Sequence, residues 1–187
     1  MLGIKYPIIQ GGMANIATGK FAAQVSNAGA LGLIASGGMN AEALEKEIAE
    51  CRKLTDKPFG VNLMLMNPDV DNIAQLLADE KIGIITTGAG MPGKYMGMWK
   101  ANGSKVIPVV ASTALARKVE QQGADAVIAE GGESGGHVGD MTTMTLVPQV
   151  IEKVSIPVIA AGGIATGKQF VAAMALGAVG VQIGTCL

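Results

Sequence analysis

The 187-residue chain is short of the side chains that usually carry chemistry: it has one histidine, one tryptophan and two cysteines, and aromatic residues make up 3% of it. A formal charge of −1 gives no field that would gather nucleic acid or an acidic membrane surface. Cys51 and Cys186 stand far apart and match neither a disulfide framework nor a zinc spacing, so a reducing cytoplasm is the expected compartment. With His137 as the sole imidazole, no metal centre is expected, and only carboxylates such as Glu130 and Glu133 remain for a hard cation. The opening "MLGIKYPIIQ" lacks the apolar core of a signal peptide. Residues 169–187 carry no charge, but Gln169, Gln182, Thr185 and glycines break the run. That pattern reads as a buried helix followed by a buried strand, not as a membrane span.

Hydrophobic residues make up 49% of the chain, and glycine contributes 27 residues. Short apolar runs recur at 7–10, 31–35, 59–65, 82–87, 106–111, 125–130, 156–161 and 179–184. Most are continuous rather than alternating, as parallel strands buried on both faces require. Helical periods separate them. "AEALEKEIAECRKL" sets Leu44, Ile48, Cys51 and Leu54 on one stripe. "TALARKVEQQGA" and "TTMTLVPQVIEKV" behave similarly, the second interrupted by Pro148. Eight strands, each but the last followed by a helix, predict an α/β fold of the TIM (β/α)8 barrel type across residues 1–187 as one domain. The chain stops at Leu187, just beyond strand eight, so the expected barrel is truncated before its final helix.

Two motifs mislead. "GAGMPG" at 88–93 matches a dinucleotide-binding turn, but no acidic residue stands about 20 positions on for a ribose. "GESGG" at 132–136 matches a nucleophile elbow, yet that mechanism orders serine, acid, then histidine, and the single histidine here follows Ser134 by only three residues.

Barrel chemistry sits at the carboxyl ends of the strands. Those ends hold Gly11, Gly12 and Met13 after strand one, Asn62 in strand three, Thr87 in strand four and Glu130 in strand six. Gly162 and Gly163 follow strand seven, and Gly184 and Thr185 follow strand eight. Glycine turns at strands seven and eight free backbone N–H groups for a phosphate, although Gly162 and Gly163 would also suit a plain tight turn. Asn62 has two readings, a structural bridge or a partner for a heterocycle's edge. A bare glycine floor at strand one beside a phosphate site suggests a phosphorylated aromatic cofactor such as flavin mononucleotide, FMN.

The segments "YPIIQGGM", "DKPFGVNLML", "TTGAG", "DAVIAEG", "GGHVG", "LVPQV", "IPVIAAGGI" and "VQIGT" resemble, in order and along nearly the whole chain, the flavin-dependent enoyl-acyl-carrier-protein reductases of bacteria. That group is classed with the nitronate monooxygenases (2-nitropropane dioxygenases). The resemblance implies an FMN-binding barrel that reduces trans-2-enoyl thioesters, on acyl carrier protein or coenzyme A, with NADH or NADPH as electron donor. It implies that Gly11, Gly12, Met13 and Asn62 meet the flavin ring, with Thr87, Glu130 and Gly136 beside it, and that Gly162, Gly163, Gly184 and Thr185 hold the phosphate. His137 matches the active-site histidine of a G-G-H-x-G motif, placed to donate to the thioester oxygen or relay a proton. It further implies a monovalent cation near Glu130 or Glu133 and pairing as a homodimer, with neither nucleic acid nor membrane as partner. Nitronate oxidation at the same site is the rival activity, and an inert flavin-binding fragment is the rival outside enzymology. Members of the group are longer, and "GTCL" stands where "GTRF" is common.

Overall fold

A computed structural model describes residues 1–136 and 139–187; His137 and Val138 lie outside the described residues. Eight parallel strands run in the order β1-β8-β7-β6-β5-β4-β3-β2. They are β1 (Ile8–Gln10), β2 (Gly32–Ala35), β3 (Phe59–Met64), β4 (Ile84–Gly88), β5 (Lys105–Val110), β6 (Val127–Glu130), β7 (Val158–Ala161) and β8 (Gly180–Ile183). Between them lie α1 (Gly19–Asn27), α2 (Ala41–Leu54), α3 (Val70–Asp79), α4 (Gly93–Ala101), α5 (Thr113–Gln121), α6 (Thr143–Ile151) and α7 (Gly167–Ala175). This is the expected (β/α)8 barrel.

Strand alternation divides the core in two. Ile9, Leu31, Leu33, Ile84, Ile107, Ile128 and Ile159 fill the barrel interior. Neighbours of opposite parity, such as Val61, Ile85 and Val127, face the helices, where Trp99 is fully buried and its indole N–H donates to the Ala74 carbonyl at 3.0 Å.

The strands close into a ring at β1 and β2, which share an isolated bridge, Ile9 with Leu31. Leu31 N–H donates to Ile8 O and Gln10 N–H to Leu31 O, both at 2.9 Å. A regular parallel ladder would continue from Leu33 N–H to the Gln10 carbonyl. Instead Leu33 N–H donates to the Gln10 side-chain Oε1 at 3.0 Å, because the backbone turns away at Gly11 toward β8, where Gly11 N–H donates to Ile183 O at 2.7 Å. A fully buried side chain thus supplies the last rung of the seam.

Helix starts follow from their caps. Thr18, Asn40 and Ser112 each accept from a first-turn N–H, and Thr166 with Gln169 forms a capping box on α7. Helix α2 occupies the whole predicted 41–54 span with Leu44, Ile48 and Cys51 buried, but Leu54, its last residue, is exposed. Two expectations are corrected. Helix α6 is not interrupted by Pro148, which lies inside it: the ring frees only the carbonyl four residues back, that of Met144, which is exposed to water. Helix α7 is not a buried helix, since Ala173 alone is buried in it and Val171 is exposed. Among the described residues, no helix is long and apolar enough to cross a membrane.

Candidate active site

A cavity of about 570 Å³ opens at the carboxyl ends of the strands. Ten of the predicted cofactor residues line it: Gly11, Gly12 and Met13 after β1, Asn62 from β3, Glu130 and Gly136 from β6 and its loop, Gly162 and Gly163 after β7, Gly184 and Thr185 after β8. Strands distant in sequence contribute to one mouth, together with Gly88 of β4 and Val109 of β5. His137, the predicted proton donor, falls outside the described residues.

Thr87 does not line the cavity. Ile84 points into the barrel and Ile85 toward the helices, so Thr86 shares the inward parity and Thr87 the outward one. Thr87 is fully buried, and among the described residues its hydroxyl has no partner. Thr86, at the same strand end but not among the predicted cofactor residues, pairs in register with Asn62, and its hydroxyl donates to Asn62 Oδ1 at 2.9 Å. That contact occupies the acceptor end of the amide and leaves its NH₂ end as a donor. The two readings of Asn62 are therefore compatible: one end bridges strands while the residue lines the cavity.

Asn62 also explains the glycine floor. A Cβ on Gly12 would stand 2.5 Å from the Asn62 side chain, so only glycine permits the two to pack together. Across the mouth, Gly162 and Gly163 have φ of +107° and +68°, left-handed conformations that glycine adopts without strain. Among the described residues, the backbone N–H groups of Gly163, Ile164, Gly184 and Thr185 donate to no other protein group. The amides of Ala165 and Thr166 are already taken by Gln169 Oε1, so the free donors lie in the glycine turns. Such a cluster of N–H groups, in turns built around Gly162, Gly163 and Gly184, fits a phosphate.

Two carboxylates reach the cavity with opposite electrostatics. Burial pushes the Glu130 carboxyl above its ordinary value, with the Ser134 hydroxyl acting weakly the other way. For Glu133, burial also pushes upward, but hydrogen bonds from the Thr143 hydroxyl and amide and its own backbone N–H together hold it below the usual range. Its partner Thr143, which sequence reasoning missed as well, opens α6. Cys186 stands exposed at the rim, where the resemblance would place an arginine.

The family model described as nitronate monooxygenase matches residues 1–187. The chain is 40% identical to a 5-hydroxy-7a-methyl-1-oxo-octahydro-1H-indene-4-carboxyl-CoA dehydrogenase of Rhodococcus jostii, over 99% of this chain and 52% of that one. It is 35% identical to a probable nitronate monooxygenase of Staphylococcus aureus, over 99% of this chain and 65% of that one. The solved structure of FabK from Thermotoga maritima superposes with a TM-score of 0.97 at 56% identity, covering 99% of this chain and 60% of that one. The chain thus spans about half to two thirds of the length of these relatives. Matched from end to end, and folded as the barrel that carries this glycine-walled cavity, the chain belongs to the nitronate monooxygenase family.

Proposed function

We propose that this chain is the FMN-binding barrel of a flavin-dependent oxidoreductase that reduces trans-2-enoyl thioesters, on acyl carrier protein or coenzyme A, with NADH or NADPH. One observation carries the reading: one cavity joins the Gly12–Asn62 floor to the turns after β7 and β8, whose amides have no partner among the described residues. The floor suits a flat ring and the turns suit a phosphate. The likeness to FabK at 56% identity supports the reductase over other members of the family, and the coenzyme A thioester named for the Rhodococcus relative supports a thioester substrate.

Bound FMN would supply a two-electron hydride carrier between the nicotinamide and the enoyl β-carbon. The chain's own work is to hold and polarise. Amides of Gly163, Ile164, Gly184 and Thr185 would hold the phosphate, and Asn62, oriented by Thr86, would offer its NH₂ to a ring acceptor. As the β-carbon gains hydride, negative charge develops on the thioester oxygen and the α-carbon needs a proton. His137 is assigned the donor to that oxygen or to that carbon, being the one side chain with an ordinary pKa near neutrality. Glu130, held protonated to higher pH than a solvated carboxyl, is a second proton-holding group and lines the cavity.

The test is an anaerobic assay of NADH and NADPH consumption with crotonyl thioester after loading with FMN, run beside oxygen uptake with an alkyl nitronate. Nicotinamide oxidation that depends on the thioester supports the reductase. Oxygen uptake on nitronate without thioester reduction transfers the site to nitronate oxidation, the activity named for the Staphylococcus relative. Failure to bind FMN overturns both.

A further inference from the structure

The segment "TTMT" at the start of α6 does not line the cavity, yet its second threonine joins three of the site's elements. Thr143 is buried, and its hydroxyl lies 2.8 Å from Glu133 Oε2, 3.0 Å from the Gly162 carbonyl and 3.2 Å from the Ala161 carbonyl. Its backbone N–H donates to Glu133 Oε2 at 2.9 Å. The preceding Thr142 makes no side-chain cap of α6, so Glu133, ten residues upstream of Thr143, caps the helix in its place.

The surrounding glycines are cut to fit this hydroxyl. A Cβ on Gly131 would lie 2.2 Å from Thr143 Oγ1, and one on Gly162 would lie 2.5 Å from it. A Cβ on Gly163 would come within 3.2 Å of Glu133 Cβ. The loop after β6, the first turn of α6 and the turn after β7 therefore close on one another, and none can shift without breaking a contact to Thr143.

We propose that Thr143 is a positioning residue: with Glu133 it locks the Gly162–Gly163 turn in the geometry that holds a phosphomonoester dianion, and ties that turn to the glycine loop after β6. The proposal rests on the FMN reading above and assigns Thr143 no contact with the cofactor. The Glu133 carboxylate, which would repel a nearby phosphate, is turned instead to the N-terminus of α6, where its charge is favourable.

Comparing FMN with riboflavin, which has the same ring and no phosphate, isolates the effect. Dissociation constants for both are measured by flavin fluorescence quenching on the wild type, Thr143→Val and Thr143→Ser. We expect the wild type to prefer FMN, and Thr143→Val to lose about tenfold of that preference, the scale of one well-placed hydrogen bond, with riboflavin affinity unchanged. Thr143→Ser, which keeps the hydroxyl, should restore the preference. An unchanged preference in Thr143→Val overturns the joint, as does an equal loss for both flavins, which would mark a merely structural role. A wild type that binds both flavins equally overturns the phosphate reading itself. Should Thr143→Val not fold, hydrogen exchange on the wild type decides. FMN, but not riboflavin, should then slow exchange in 131–136 together with 162–164, and protection confined to 162–164 overturns the proposal.

Discussion

At the scale of single residues, the site depends on what Gly12 omits and on what burial does to Glu130. Gly12 leaves room for Asn62, and a Cβ placed there would come within 2.5 Å of that side chain, so Gly12→Ala must push the amide off the floor. We expect Gly12→Ala to fold with little change in melting temperature and to bind FMN at least about tenfold more weakly, since it displaces both the floor and a donor; wild-type affinity in a titration would show that the ring does not lie there. Glu130 lends itself to a pH test. Burial disfavours its charged form, so its folded pKa lies above the unfolded one. Its burden on stability is then absent below the ordinary carboxylate range, grows as pH rises, and is complete above the folded pKa. Glu130→Gln should match the wild type in acid and exceed it at neutral pH in urea unfolding; a difference that does not vary with pH would show that the carboxyl is not shifted.

At the scale of elements, legibility followed whether a residue's fate is decided within its own segment. Helix α2 could be read to its ends because its cap Asn40, its apolar stripe and its charged face are all local. The strand runs could be read for the same reason, as continuous apolar stretches between glycine and polar turns. The parity of β4 could not be read: "IITT" offers two threonines, and only the packing of Ile84 into the barrel decides that Thr86, not Thr87, turns inward. Thr143 was invisible for a like reason, since its partners lie 10, 18 and 19 positions away. The exposure of α7 also depends on what packs beside it, which composition does not state. Element placement separates the two thiols as well. Cys51 sits on the buried face of α2, and burial pushes its thiol up to about 11, whereas Cys186 is exposed after β8 at the cavity rim. Only the thiolate reacts. We expect Ellman's reagent at neutral pH to titrate Cys186 rapidly and Cys51 only after unfolding, with bound FMN slowing the first; two fast thiols would show that α2 does not keep its face closed.

At the scale of the whole molecule, a barrel is only as continuous as its weakest seam, and every wall of the cavity is referred to the ring being closed. Seven of the eight junctions are ladders of two or more register pairs, while β1 and β2 meet through one bridge. The seam lies directly below Gly11, Gly12 and Met13, so its integrity and the position of the cavity floor are one question. The Gln10 side chain adds the missing rung by accepting from Leu33 N–H. Gln10→Met keeps length and apolar bulk but leaves that buried N–H without an acceptor, which costs about 1–3 kcal/mol. For a chain of this size that corresponds to a fall in melting temperature of roughly 2–12 °C. If the rung also holds the floor, FMN should be lost from Gln10→Met at temperatures well below its unfolding, because the seam opens locally before the barrel does. Thermal unfolding by circular dichroism, followed in parallel with flavin fluorescence, measures the two transitions together. Separate transitions in Gln10→Met and a single one in the wild type are the expected result; coincident transitions in both would mean that the ring fails as a whole and that Gln10 is a core residue like any other.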